Sequence, residues 1–135
     1  NSLTQFSLDI ARAEIGKTSS TEEITITPES FSVDKESYTT VKLYISNLGD
    51  SPGEFTAKID PPEGLDINFA DTNEYKSKSY NLEIGEEVSI PIYVLATSEA
   101  KLRPTGFSIE VSSDIWNSPK TRSAVVNVKK KSGIF

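Results

Sequence analysis

The sequence predicts an all-β protein, an immunoglobulin-like antiparallel β-sandwich of about seven strands with an N-terminal extension. Three observations predict it. The run Val41-Lys42-Leu43-Tyr44-Ile45-Ser46 alternates apolar and polar side chains and then stops at Asn47-Leu48-Gly49-Asp50. A period of two marks a strand with one face buried and the other wet. The same alternation returns at Glu87 to Leu95, Phe107 to Ser113 and Ser123 to Lys129. Turn-forming residues separate such segments at intervals of about 8–12 residues, the rhythm of a sandwich.

The N-terminal stretch, residues 1–20, reads as a stalk or an extra strand ahead of a sandwich spanning 21–135. Leu3, Phe6, Ile10 and Ala13 fit a helical stripe, while Phe6, Leu8 and Ile10 fit a strand equally well. A strand or short stalk is the favoured reading, with Gly16 to Thr21 as a flexible joint. Glu23 to Thr27 then forms a short strand ended by Pro28, and Phe31 and Val33 continue it after a break. First strands of sandwiches often change sheets at such a kink. Asp34 to Ser37 turns the chain into a central strand, Thr39 to Asn47.

Gly49, Asp50, Pro52 and Gly53 supply the next turn. Glu54 to Ile59 is a strand with Phe55, Ala57 and Ile59 on one face. Asp60-Pro61-Pro62-Glu63-Gly64 must be an irregular crossover, because two prolines cannot sit in a paired central strand. Leu65, Ile67 and Phe69 alternate again, Ala70 to Lys78 loops out, and Ser79 to Ile84 leads to a tight turn at Gly85-Glu86. Pro91 interrupts the long strand Glu87 to Leu95, so it should lie at an edge or point its nitrogen away from a neighbour. Ala96 to Thr105 is a link, and Gly106 opens the strand of Phe107, Ile109 and Val111. Asp114 to Lys120 is a loop before the last strand, where Ala124, Val126 and Val128 face inward.

Composition narrows the chemistry. At 135 residues the chain can bury a core without metal or disulfide staples. It has no Cys and no His, which removes thiol chemistry, Ser-His and Cys-His nucleophilic centres, and imidazole-ligated zinc. Walker and dinucleotide glycine patterns are absent. The net charge of −6 repels polyanions, so nucleic acid is disfavoured as a partner. Lys129-Lys130-Lys131 reads as a solvated strand end that discourages edge pairing, with contact to an anionic surface as the other reading. No apolar run approaches a membrane-spanning length. The absence of an initiator Met raises the expectation that a signal peptide or membrane anchor preceded Asn1.

Carboxylates occur in pairs at Glu22-Glu23 and Glu86-Glu87, and as a group at Asp60, Glu63, Asp66, Asp71 and Glu74. A glycosidase sets two carboxyls across a cleft, but these lie on turns, so no catalytic residues are expected. Calcium could use the Asp60 to Glu74 group, but its spacing lacks EF-hand order and solvated loop acids are the plainer reading; no metal or cofactor is assigned. Trp116, beside Ile115 and Pro119, is a sugar-stacking platform, a protein-binding hot spot or, more commonly for a loop Trp, a ring folded back over the sandwich end. Tyr75 and Tyr80 flank a polar loop and could extend such a contact surface.

The segments Val41 to Gly49, Pro62-Glu63-Gly64-Leu65, Leu82 to Val88 and Gly106 to Val111 carry a family resemblance. Over Val41 to Lys129 the chain resembles the immunoglobulin-like accessory domains of prokaryotic cell-surface proteins and glycoside hydrolases. In particular it is similar to the CARDB-like families and to the accessory family associated with alpha-galactosidases. Pro104-Thr105-Gly106 departs from that pattern, which has a plainer Gly-Tyr-type start to the strand. The chain also resembles the acidic, Cys-free soluble domains of archaeal archaellum or pilus accessory proteins, which sit behind a short N-terminal membrane anchor.

The resemblance implies a non-catalytic module outside the cytoplasm, membrane-anchored, at the cell surface or in a pseudo-periplasm. Its expected partner is an envelope protein, either a surface-layer or an appendage component, or a second copy in a homodimer. The expected contact residues are the outward-facing Tyr44, Tyr93, Leu95 and Val125, together with Trp116. The alternative is a carbohydrate-binding accessory module using Trp116, Tyr75 and Tyr80.

Overall fold

The computed structural model describes residues 13–18, 20–69 and 77–131. They form ten strands in two packed sheets. These are β1 (Glu14–Lys17), β2 (Ile24–Thr27), β3 (Ser30–Asp34), β4 (Tyr38–Ser46), β5 (Gly53–Asp60), β6 (Leu65–Phe69), β7 (Ser77–Leu82), β8 (Glu86–Ala96), β9 (Pro104–Ser113) and β10 (Lys120–Lys129). The first sheet runs β1-β8-β4-β2, with β6 also paired to β8; the second runs β3-β10-β9-β5-β7. The expected β-sandwich is therefore present, with ten strands among the described residues in place of about seven.

The period-two pattern becomes the core directly. Val41, Leu43 and Ile45 of β4 and Val88, Ile90, Ile92 and Val94 of β8 are buried, facing Phe55 and Ala57 of β5 and Ile109 and Val111 of β9. Burying a side chain of this size stabilises the fold by about 1.5–3 kcal/mol. Ala124, Val126 and Val128 face inward from β10, as the alternation requires.

The first strand does change sheets at Pro28. β2 pairs with β4 in the first sheet, whereas β3 pairs with β10 in the second, and it does so in parallel. The sandwich is thus antiparallel apart from this one pair among the described strands. Pro61 and Pro62 mark the crossover from β5 in the second sheet to β6 in the first.

Three local expectations change. Gly16 and Lys17 belong to β1, opposite Glu87 and Glu86, so the joint between strand and sandwich is shorter than the run of small polar residues suggests. Edge pairing overrides the intrinsic looseness of glycine there. β7 begins at Ser77 and β9 at Pro104, each two residues earlier than the side-chain alternation indicates. Leu3, Phe6, Leu8 and Ile10 lie outside the described residues.

Pro91 lies within a central strand, and the pairing shows how it is tolerated. One flank of β8 pairs with β4 throughout, but the other is shared: β1 covers Glu86 to Ser89 and β6 covers Ile92 to Ala96. Pro91 falls in the gap. Along β8, amide N–H groups alternate between flanks; that of Ala96 donates to Ser37 on the β4 side, that of Thr97 to Gly64 on the β6 side. Pro91 shares the parity of Thr97, so its missing N–H faces the position that neither β1 nor β6 fills.

Candidate functional site

Three strands of the first sheet build a groove on its outer face. Their register places Asp66, Leu95 and Tyr38 in one cross-strand row, and Asn68, Tyr93 and Thr40 in the next. Side chains opposite one another in such rows stand on one face within contact range. Tyr38, Asp66, Asn68, Tyr93 and Leu95 line a depression of about 270 Å³. The rings of Tyr38 and Tyr93 meet edge to face, with centroids 5.7 Å apart and planes at 87°. Tyr38 is 67% exposed, far more than a core tyrosine. Asn68 Nδ2 donates to Asp66 Oδ1 at 3.0 Å, orienting the carboxylate beside the apolar strip.

Two clamps hold these strands at one end of the sheet. In the Asp34 to Ser37 turn, Glu36 adopts a left-handed φ of 65°. Its N–H donates to the Ala96 carbonyl at 2.7 Å, while the Ala96 N–H donates to Ser37 at 3.0 Å. This pins the start of β4, and with it Tyr38, to the end of β8. On the other flank the Gly64 carbonyl accepts from the Thr97 N–H at 3.0 Å and from Thr97 Oγ1 at 2.9 Å. Gly64 has φ +89°, and a Cβ there would come within 2.9 Å of the Ala100 Cα. Only glycine lets the chain pass so close before β6 begins.

Of the residues singled out from the sequence, Tyr93 and Leu95 enter this groove. Tyr44 lies on the same face, half-buried between Thr25 and Ser89, but six residues further along β4 than Tyr38. At about 3.3 Å per residue that separation is roughly 20 Å. Val125 projects from the opposite sheet, 40% exposed between Ser30 and Gly106. Trp116 folds back over the sandwich end: it is half-buried, edge to face with Phe55 at 5.3 Å, and Lys120 Nζ lies over its ring at 4.6 Å. Lys120 also pairs with Glu23, which ties the second sheet to the start of the first. Tyr80 packs against the core from β7, and Tyr75 lies outside the described residues.

Tyr38 and Asn68 escaped the sequence reading, and Asp66 entered it only as one of a group of loop carboxylates. Tyr38 has the same parity as Tyr44, but with the turn ending at Ser37 and the strand starting at Thr39 it belonged to neither. Asp66 and Asn68 show as outward positions only once Leu65, Ile67 and Phe69 are placed inward. Asp60, Glu63 and Asp66 are not gathered into a metal-holding group among the described residues, and Asp71 and Glu74 lie outside them. A larger depression of about 410 Å³ runs over Asp60, Pro61, Pro62 and Gly106, but Phe107, its one aromatic residue, is buried.

No family model matches the chain, and no curated protein does. Among solved structures it is similar to a family 123 glycoside hydrolase from Clostridium perfringens, with a TM-score of 0.53 and 15% identity over 88% of this chain and 27% of that one. The YadV chaperone gives 0.46 and 12% over 82% and 53% of the two chains. WR4, an MSP family member from C. elegans, gives 0.45 and 10% over 81% and 98%. The chain spans about a quarter of the glycoside hydrolase it matches and about half of the chaperone. At 15% identity the likeness to the glycoside hydrolase is one of fold.

Proposed function

We propose that this chain is a non-catalytic interaction domain of the cell envelope, working outside the cytoplasm behind a membrane anchor. It binds another envelope protein, a surface-layer or appendage component, or a second copy of itself. The observation that carries this reading is the groove: an exposed tyrosine, a second ring at right angles to it and a leucine stand together on an outer sheet face. Clustered aromatic and aliphatic side chains of this kind are what protein interfaces use as anchors. The resemblance to CARDB-like accessory domains and to archaellum or pilus accessory proteins supports the same assignment. The carbohydrate reading has weaker support, because Trp116 already packs on Phe55 and under Lys120.

Co-sedimentation with purified surface-layer protein tests the assignment, with sedimentation equilibrium of the domain alone testing self-association. The double substitution of Tyr38 and Tyr93 by Ala is expected to weaken the interaction at least about tenfold, the loss of roughly one interface anchor. Binding that is unchanged in the double variant would refute this face as the interface. A Trp116 fluorescence change with cell-wall polysaccharide, abolished by Trp116→Ala, would favour the carbohydrate module instead.

A further inference from the structure

The second sheet ends in a strand whose outer flank is open. We infer that β3 pairs edge to edge with β3 of a second copy, antiparallel about Ser32, joining two second sheets into one. This goes beyond the proposed function: β3 lies in the other sheet from the groove, and the pairing does not depend on it. Peptide-group direction decides which residues are free. The Val125 N–H donates to the Glu29 carbonyl, and the Lys35 N–H to the Lys129 carbonyl. Successive residues of a strand turn their N–H and C=O groups to opposite flanks. Glu29, Phe31, Val33 and Lys35 therefore face β10, while Ser30, Ser32 and Asp34 face outward, with Ser30 and Ser32 exposed. Two other rims are closed. Ile24 and Ile26 turn outward from β2, because the Ser46 N–H donates to Glu23, yet both are buried. Where β10 runs beyond β3, Arg122 Nη1 donates to the Thr121 carbonyl at 3.1 Å and sets a charge on that flank. Between Ser30 and Asp34 there is neither lysine nor proline to refuse a partner.

The sequence of this strand is complementary to itself. A two-fold axis at Ser32 sets Ser30 of each copy against Asp34 of the other, so outward peptide groups meet outward peptide groups. The two Ser32 residues then exchange N–H···O=C bonds, and each Asp34 N–H reaches a Ser30 carbonyl. Phe31, half-buried, meets Val33 of the second copy and gains apolar cover. Charge agrees with this register. Glu29 of each copy stands opposite Lys35 of the other, and neither side chain has an ion pair within its own chain. Opposite charges facing one another across antiparallel strands are favourable, and like charges there are destabilising.

One strand pair buries less than the roughly 1,200 Å² of a stable complex, so dimers should form at about 0.1–1 mM. Sedimentation equilibrium over that range tests the inference, with Glu29→Lys and Lys35→Glu each run alone and then mixed. Either variant alone opposes like charges at both ends of the pairing and should weaken association about tenfold. In the equimolar mixture every facing pair is again of opposite sign, so association should return. Neither position is buried, and unchanged melting temperatures would show that the variants fold. A monomer throughout the range, association indifferent to both variants, or no recovery on mixing would overturn the inference. Self-association lost on replacing Tyr38 and Tyr93 by Ala would also overturn it, while leaving the proposed use of the groove standing. Recovery on mixing, without co-sedimentation of any surface-layer protein, would uphold the strand pairing and remove that proposed partner.

Discussion

Asn47 shows at the scale of one residue how this sandwich is closed. It is completely buried at the end of β4, and every polar atom of its side chain has a partner. Nδ2 donates to the carbonyls of Ser51 at 3.0 Å and Leu82 at 3.1 Å, while Oδ1 accepts from the Gly49 N–H at 3.0 Å. The amide thus joins the first sheet to β7 of the second and shapes the turn between β4 and β5. Asn47→Ala should lower stability by about 2–4 kcal/mol, because it strands the buried Leu82 carbonyl as well as losing the other two bonds; urea denaturation followed by circular dichroism measures it. Gly64→Ala should be destabilising by at least about 2 kcal/mol, since it combines a left-handed backbone with a clash against Ala100. Glu36→Gly works in the opposite sense. It relieves a left-handed non-glycine residue, and a gain of up to about 1 kcal/mol is expected in the same assay.

The instructive element is β8, which serves two short strands on one flank. β1 is the more weakly held of them, for all four of its residues are exposed. Its attachment relies on backbone pairing and on Glu87, whose Oε2 accepts from Ser46 Oγ at 2.8 Å and from Thr18 Oγ1 at 3.2 Å. The Thr18 N–H closes the strand by donating to the Gly85 carbonyl at 2.9 Å. Glu87→Ala should therefore release β1 locally. Hydrogen exchange at Thr18 and the β1 amides is expected to accelerate, while amides in β9 and β10 keep their protection. Equal acceleration in both places would show that Glu87 supports the whole fold instead.

For the whole molecule, one indole reports on both sheets. Trp116 touches Phe55 in the core and lies under Lys120, which pairs with Glu23 beside β2. Its fluorescence should change in the same urea transition as the far-ultraviolet circular dichroism, because losing either sheet removes its surroundings. Two separated transitions would mean that the sheets unfold independently. The charge of −6 adds a prediction of its own: association with a basic partner should slow as ionic strength rises, while dissociation changes less.

Alternation in Val41 to Ser46, Glu87 to Leu95 and Ser123 to Lys129 was enough to establish the sandwich and its inward-facing residues, and the break at Pro28 was enough to mark the sheet change. These are local matters: each strand carries its own period of two, and proline removes its own donor wherever it stands. The groove was not legible in the same way. Tyr38, Asp66 and Tyr93 come from three strands separated by long stretches of chain, and nothing near any one of them names the other two. Only the register across β4, β8 and β6 brings them into neighbouring rows. Register depends on how two sheets share one core, a property of the folded chain rather than of any segment.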